Sequence, residues 1–222
     1  MSIAGNITEL KKSLPQEVTL VAVSKFHPAE ALQEAYNAGQ RVFGESRAQE
    51  LTSKQKVLPE DIEWHFIGTL QTNKAKDIAP FIHTIHSVDS LKLLKEISKQ
   101  AVKNNQTIHV LLEVHIAKEE SKHGFTPQEC LDFCKKQEWE ELENIQISGL
   151  MSMATYTEDE RIIRDEFRTL YQLFTELKNN IFINKPSFKE LSMGMSHDYA
   201  IAVEEGSTMV RIGTSIFGER EY

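Results

Sequence analysis

The sequence is short of cysteine and proline, and it has no long apolar run. Cys130 and Cys134 are its only two thiols, too few for a disulfide framework, so a reducing, cytoplasmic setting is expected. No stretch approaches the ~18 apolar residues of a membrane span. The opening MSIAGNITELKKSLPQEVTL lacks the apolar stretch and cleavage site of a signal peptide. A basic surplus is also missing: 25 Lys and Arg face 33 Asp and Glu, a net charge of −8. That argues against a nucleic-acid binder that works by neutralising phosphates. What remains is a chain of 222 residues, 40% apolar and 26% charged, the balance of a soluble globular protein with one core of useful size.

Hydrophobic patterning predicts eight strands, at 18–25, 41–44, 62–67, 81–88, 108–117, 145–151, 189–193 and 208–212. Helical patterns lie between them. Pro28 and Gly39 bracket one helix, and others are expected at 45–57 and 69–78 and from an Asp89 cap to Val102. Thr126-Pro127-Gln128-Glu129 is a capping box with proline at the first helical position, and Thr157-Glu158-Asp159-Glu160 reads as a second box. After it, Ile163, Phe167, Leu170, Phe174 and Leu177 recur at helical spacing on one packed face. Eight βα units in this length predict a TIM (β/α)8 barrel, an α/β fold. An open doubly wound sheet is disfavoured because no glycine-rich dinucleotide fingerprint follows the first strand. No linker or repeat divides the chain, so residues 1–222 are expected to form a single domain.

In a barrel, chemistry gathers on the loops after the strands. Val21, Val23 and Lys25 alternate onto one face, which aims Lys25 into the barrel mouth. Desolvation there lowers an amine's pKa and makes it a nucleophile toward aldehydes. Taken alone, a lysine in this place ordinarily ends its strand and reaches into water. Met209, Arg211 and Gly213 share a face of the last strand, with Thr214 and Ser215 opening the next helix. Ser192, Gly194 and Ser196 follow the strand before it. Two neighbouring strand ends rich in small and hydroxyl residues favour phosphate binding.

Trp64 and Phe66 take the face opposite His65, so His65 looks inward, where core packing and pocket contact both stand open. Asn73 and Lys74 lie just past that strand. His83, His86, His109 and His115 alternate with apolar residues, and their surroundings are open. A lysine and a phosphate cradle in one mouth suggest a phosphorylated aldehyde, for which pyridoxal 5′-phosphate (PLP) supplies both partners.

The blocks VAVSK, FGES, WHFIGTLQTNK, SGLMSM, LSMGMSHDY and GSTMVRIGTSIFGER together resemble the YggS/PROSC family of PLP-binding proteins, from Val21 to Arg220. The resemblance implies a barrel of the alanine racemase N-terminal type, without the C-terminal β domain. It implies a Schiff base between PLP and Lys25, and phosphate contacts from Ser192, Met193, Gly213 and Thr214. It implies a role in PLP homeostasis, with apo PLP-dependent enzymes as possible acceptors.

RIGTSIFG is similar to the arginine-containing segment of alanine racemase, which puts Arg211 at the pyridine nitrogen. SKHGF is similar to a racemase loop with a basic residue, at Lys122 here. SGLMSM is similar to a strand end that carries a histidine, where Met153 stands instead. Racemases of this fold add a second domain whose tyrosine is the other proton carrier. This chain stops at Tyr222, so little or no turnover and a monomer are expected. His65, Asn73 and Met153 are further pocket candidates, and roles for Glu45 and Lys74 rest on the family pattern. The alternatives are a PLP-dependent amino-acid racemase or lyase of low activity, and an aldolase that uses Lys25 without PLP.

Overall fold

A computed structural model describes residues 2–118 and 123–219. Its chain runs α1 Ile3–Ser13, β1 Thr19–Val23, α2 Ala29–Asn37, β2 Val42–Glu45, α3 Ala48–Gln55 and β3 Glu63–Phe66. A single 3-10 turn, Thr72–Lys74, then leads into α4 Ala75–Ile78. β4 Thr84–Val88, α5 Leu91–Lys103, β5 Ile108–Glu113, α6 Pro127–Lys136, β6 Ile145–Met151 and α7 Glu160–Asn180 follow. The last elements are β7 Glu190–Ser192, α8 Tyr199–Glu204, β8 Met209–Ile212 and α9 Thr214–Phe217. The strands form one closed barrel in chain order, and β8 pairs back onto β1 in parallel. Among the described residues no helix is long and apolar enough to cross a membrane.

Period-2 alternation sorts the strands into two environments. Leu20, Ala22, Phe43, Trp64, Phe66, Val110, Leu112, Val210 and Ile212 pack outward in the core shared with the helices. Their neighbours fill the lumen: Val21, Val23, His65, His86, His109, Leu111, Glu113, Ser192, Met209 and Arg211. Barrel interiors are ordinarily layered with branched apolar side chains. This one carries histidines, a carboxylate and a guanidinium, each of which needs a partner once buried.

The helix ends refine the expectations. Thr126 and Glu129 make the reciprocal capping box, with the Glu129 amide 3.2 Å from Thr126 Oγ1 and the Thr126 amide 2.8 Å from Glu129 Oε2. All five residues of the periodic α7 face are buried. Two cap assignments move. Ser90 rather than Asp89 caps α5, because the Ser90 hydroxyl accepts from the Leu93 amide. Asp159 rather than Thr157 caps α7, since its carboxylate reaches the Arg161 amide while Thr157 accepts from Asp159 itself. The helix expected at 69–78 is reduced to the 3-10 turn and one α turn.

Candidate functional site

At the C-terminal ends of β1 and β2, a buried network holds the backbone on either side of Lys25. Ser24 and Glu45 each follow an inward residue and turn outward, toward α3. Lys54 on α3 is 6% exposed, and its ammonium donates to Glu45 at 2.7 Å, to Glu50 at 2.7 Å and to the Ser24 carbonyl at 2.8 Å. The Ser24 hydroxyl donates to Glu45 at 2.6 Å. Glu50 also accepts the Phe26 amide at 2.7 Å. Phe26 has φ +68°, a left-handed conformation that costs a non-glycine residue about 1 kcal/mol or more. Lys25 therefore sits half-buried between two tethered neighbours, with the strain of the following residue held by Glu50. Burial raises the Glu45 pKa, and Lys54 opposes that shift.

On the other side of the β1–β8 seam, Gly213 lies against β1. A Cβ there would come 3.1 Å from the Val23 carbonyl oxygen and 3.3 Å from Val23 Cβ, so a side chain would push the two strand ends apart. The Gly213 amide donates to the Ser196 hydroxyl at 3.3 Å. Thr214 and Ser215 are exposed at the start of α9, where the first amides have no intrahelical acceptor. Gly194, at φ +95°, lets the loop after β7 fold over Tyr199 and Ala202.

Between these rims lies Arg211, 5% exposed. Nη1 donates to the Ser192 hydroxyl at 2.7 Å and to the Ser192 carbonyl at 2.9 Å, and Nη2 to the Ser152 carbonyl at 2.8 Å. Among the described residues those three bonds leave two of its five N–H donors for a ligand. Burial pulls its pKa down to about 10, so it remains charged at neutral pH.

The structure places the predicted residues unevenly. Lys25, Arg211, Gly213 and Thr214 come together at one mouth. Ser192 and Met193 are fully buried beneath it, and both are engaged within the fold. The Ser192 hydroxyl serves Arg211 and stands 3.1 Å from His86 Nδ1, while the Met193 amide donates to the Met209 carbonyl. Of the residues expected to line an anion rim, Gly213 and Thr214 reach solvent, as does Ser196. Met153 is 47% exposed and borders a small cavity of about 170 Å³ with Glu113, His123 and Tyr156. Burial, then the nearby Asp89, raises the Glu113 pKa.

Asn73 is exposed on the 3-10 turn that follows β3. Lys74 lies 3.6 Å from Asp77 and borders a groove with Arg47 and Gln71. Lys122 lies outside the described residues. His65 points inward as its aromatic neighbours require, yet it faces the opposite end of the barrel. It lines a cavity of about 540 Å³ with Thr19, Glu63, His83 and His109, at the N-terminal ends of the strands. Its Nδ1 is 2.9 Å from His86 Nε2, so it reaches the Arg211 end only through His86 and Ser192.

Glu50 and Lys54 were not singled out from the sequence. Their one signal was a Glu-to-Lys spacing of four on a helix, a pattern shared with many solvated surfaces.

The chain matches the family model for the alanine racemase N-terminal domain over residues 1–221. A protein of Aquifex aeolicus named pyridoxal phosphate homeostasis protein is 44% identical over 204 residues, covering 91% of this chain and 87% of that one. PipY of Synechococcus elongatus, solved without PLP, is 37% identical and superposes with a TM-score of 0.90 over 98% of this chain and all of its own (100%). The same protein with PLP bound is 36% identical and superposes at 0.87 over the same spans. An alanine racemase from Streptomyces coelicolor has the same fold at 16% identity and TM-score 0.78, and this chain spans 57% of its length. The chain belongs to the alanine racemase N-terminal domain family, within the group of pyridoxal phosphate homeostasis proteins.

Proposed function

We propose that this protein binds PLP and serves in its homeostasis, as one PLP-binding domain over residues 1–222. The observation that carries this reading is the β1–β8 seam, which sets the Lys25 strand end beside the Gly213–Thr214 rim. An amine and an anion rim on adjacent strand ends suit the two ends of a phosphorylated aldehyde. The residues fit the group: Gly213 packs closely against Val23 at the Lys25 strand end, and Arg211 keeps two donors that no described residue takes. Bound there, PLP supplies an aldehyde that joins amines reversibly.

The chain's own groups divide the work. Lys25 Nζ would be the covalent attachment point. The Thr214 hydroxyl and the first amides of α9 would hold the phosphate, with Ser196 ordering Gly213. Arg211 would donate to the ring nitrogen and keep its own proton, because a guanidinium stays charged even when burial pulls its pKa to about 10. A ring nitrogen that only accepts a hydrogen bond is a weak electron sink, which fits storage and delivery better than fast amino-acid chemistry. Apo PLP-dependent enzymes are the proposed acceptors, the cytoplasm the proposed setting and the monomer the proposed form.

Borohydride reduction of the PLP-loaded protein tests the assignment. A single stable adduct on the Lys25 peptide is expected, with no visible chromophore left in Lys25→Ala. An adduct on another lysine, or unchanged absorbance in that variant, overturns it. Incubation with L-amino acids in deuterated water tests turnover: slow or absent α-deuterium incorporation is expected, and rapid incorporation overturns the carrier reading.

A further inference from the structure

We propose that the N-terminal end of the barrel holds a second site, for a single Zn2+-class divalent transition-metal ion, built from Glu63, His65 and His83. One ligand atom from each lies within 4.8 Å of the other two. His65 and Glu63 alternate inward on β3, and His83 precedes β4 in the adjoining position, its backbone amide bonded to the Trp64 carbonyl. The barrel itself therefore brings the three together.

An independent observation points to a ligand. His65 is 2% exposed, and its Nε2 has no hydrogen-bond partner among the described residues. A buried ring nitrogen left unpaired loses its hydration with nothing in exchange. Its other nitrogen is occupied by His86, and the residue lines the 540 Å³ cavity shared with Glu63 and His83. With the His65 proton on Nδ1, facing His86, a cation seated between these side chains would take the Nε2 lone pair.

The donor set selects the ion. Two imidazoles and one carboxylate suit zinc and its neighbours, whereas magnesium and calcium prefer all-oxygen shells. Zn–N and Zn–O bonds of about 2.0–2.2 Å place ligand atoms on one ion about 3.3 Å apart. His83 Nε2 and Glu63 Oε2 stand 3.9 Å apart now, and both side chains are near half-exposed, at 44% and 51%, with room to close the difference by rotation.

Metal-bound histidines characteristically hydrogen-bond through their second nitrogen. That shell is already in place: His83 Nδ1 is 2.8 Å from Thr84 Oγ1, and His65 Nδ1 is 2.9 Å from His86. His109 stacks on His83 at 4.8 Å and completes the wall. The nearby Lys189 is paired with Glu190 at 3.8 Å.

The test is titration of the PLP-loaded full chain with Zn2+ against a chromophoric chelator, with Co2+ as an optical probe. One ion per chain is expected, with visible Co2+ bands of low coordination number. His83→Ala and Glu63→Ala change half-exposed side chains and leave the fold intact, which thermal melting checks. Each is expected to weaken Zn2+ binding at least tenfold, and the double variant at least a hundredfold. Lys25→Ala, at the other mouth, is expected to bind the ion unchanged. Failure to bind Zn2+ at micromolar concentration, or equal affinity in the double variant, overturns the proposal. Because Lys25→Ala alone abolishes covalent PLP attachment, the two readings stand or fall separately.

Discussion

The two ends of the barrel are built differently. At the C-terminal mouth the buried charges are tied to several partners, with Glu45 Oε2 alone left over in that network: Arg211 is held by Ser192 and Ser152, and the residues flanking Lys25 are tethered through Glu45, Glu50 and Lys54 among the described residues. At the N-terminal mouth the histidines are crowded and a ring nitrogen is left without a partner. The first arrangement fixes reactive groups in place before any ligand arrives. The second leaves a vacancy in the bonding that a ligand can fill. Rigidity and unmet bonding are two ways for one fold to prepare a site.

The sharpest way to break this contrast is to cut the tethers at the Lys25 end. Lys54→Met removes the cation from a carboxylate that is fully buried, and breaking such a pair costs about 3–5 kcal/mol. Denaturant unfolding at neutral pH should show that loss. The pH dependence follows from Glu45. Its pKa in the folded protein is raised, so protonation favours the folded form, and the burial penalty grows as pH rises through that raised value. Without Lys54 the pKa rises further. The deficit of Lys54→Met is therefore expected to be largest above the raised Glu45 pKa and to shrink as pH falls through it. A deficit that does not vary with pH would mean that Glu45 is not the group left stranded.

A smaller effect is expected at the seam. Gly213→Val presses side-chain atoms against the Val23 carbonyl, and PLP affinity measured by absorbance titration should fall at least about tenfold, or ~1.4 kcal/mol. Smaller still is the effect of His65→Leu on the same titration. It acts at the far end of the lumen, and PLP affinity should stay within about twofold. A collapse of PLP binding in this variant would show that the two ends cannot be treated apart. Least affected is Lys74→Ala, which removes one half-exposed partner of Asp77 and should change neither PLP affinity nor stability by more than about 0.5 kcal/mol.

Much of this was legible in the sequence, for a definite reason. Side chains on a strand alternate strictly, so the inward face of β1, β3 and β8 could be read from Val21, Trp64 and Met209 without knowing the fold. The family blocks then supplied the identity of the mouth at Lys25 and Gly213. What alternation does not encode is depth. Whether an inward residue belongs to the upper or lower end depends on strand register and barrel stagger, which are set by all eight strands together. His65 was therefore read to the correct face, while its end of the barrel stayed hidden. Glu45, Glu50 and Lys54 were obscure for a similar reason: their partnership exists only after α3 packs across the ends of β1 and β2. Neighbouring cap candidates such as Asp89 and Ser90 compete within one residue, and only the backbone angles decide between them.

The row from His65 through His86 and Ser192 to Arg211 has a further consequence. A guanidinium only donates, so one terminus of the row is permanently polarised. Each imidazole between carries one proton on one of two nitrogens, and neighbouring rings cannot both point a proton, or both point a lone pair, at the same gap. The interior protons must therefore shift together, in one of two opposed settings that span the full height of the lumen. His65 Nε2 accordingly presents a proton or a lone pair to the N-terminal cavity, depending on which nitrogen of His86 carries the proton.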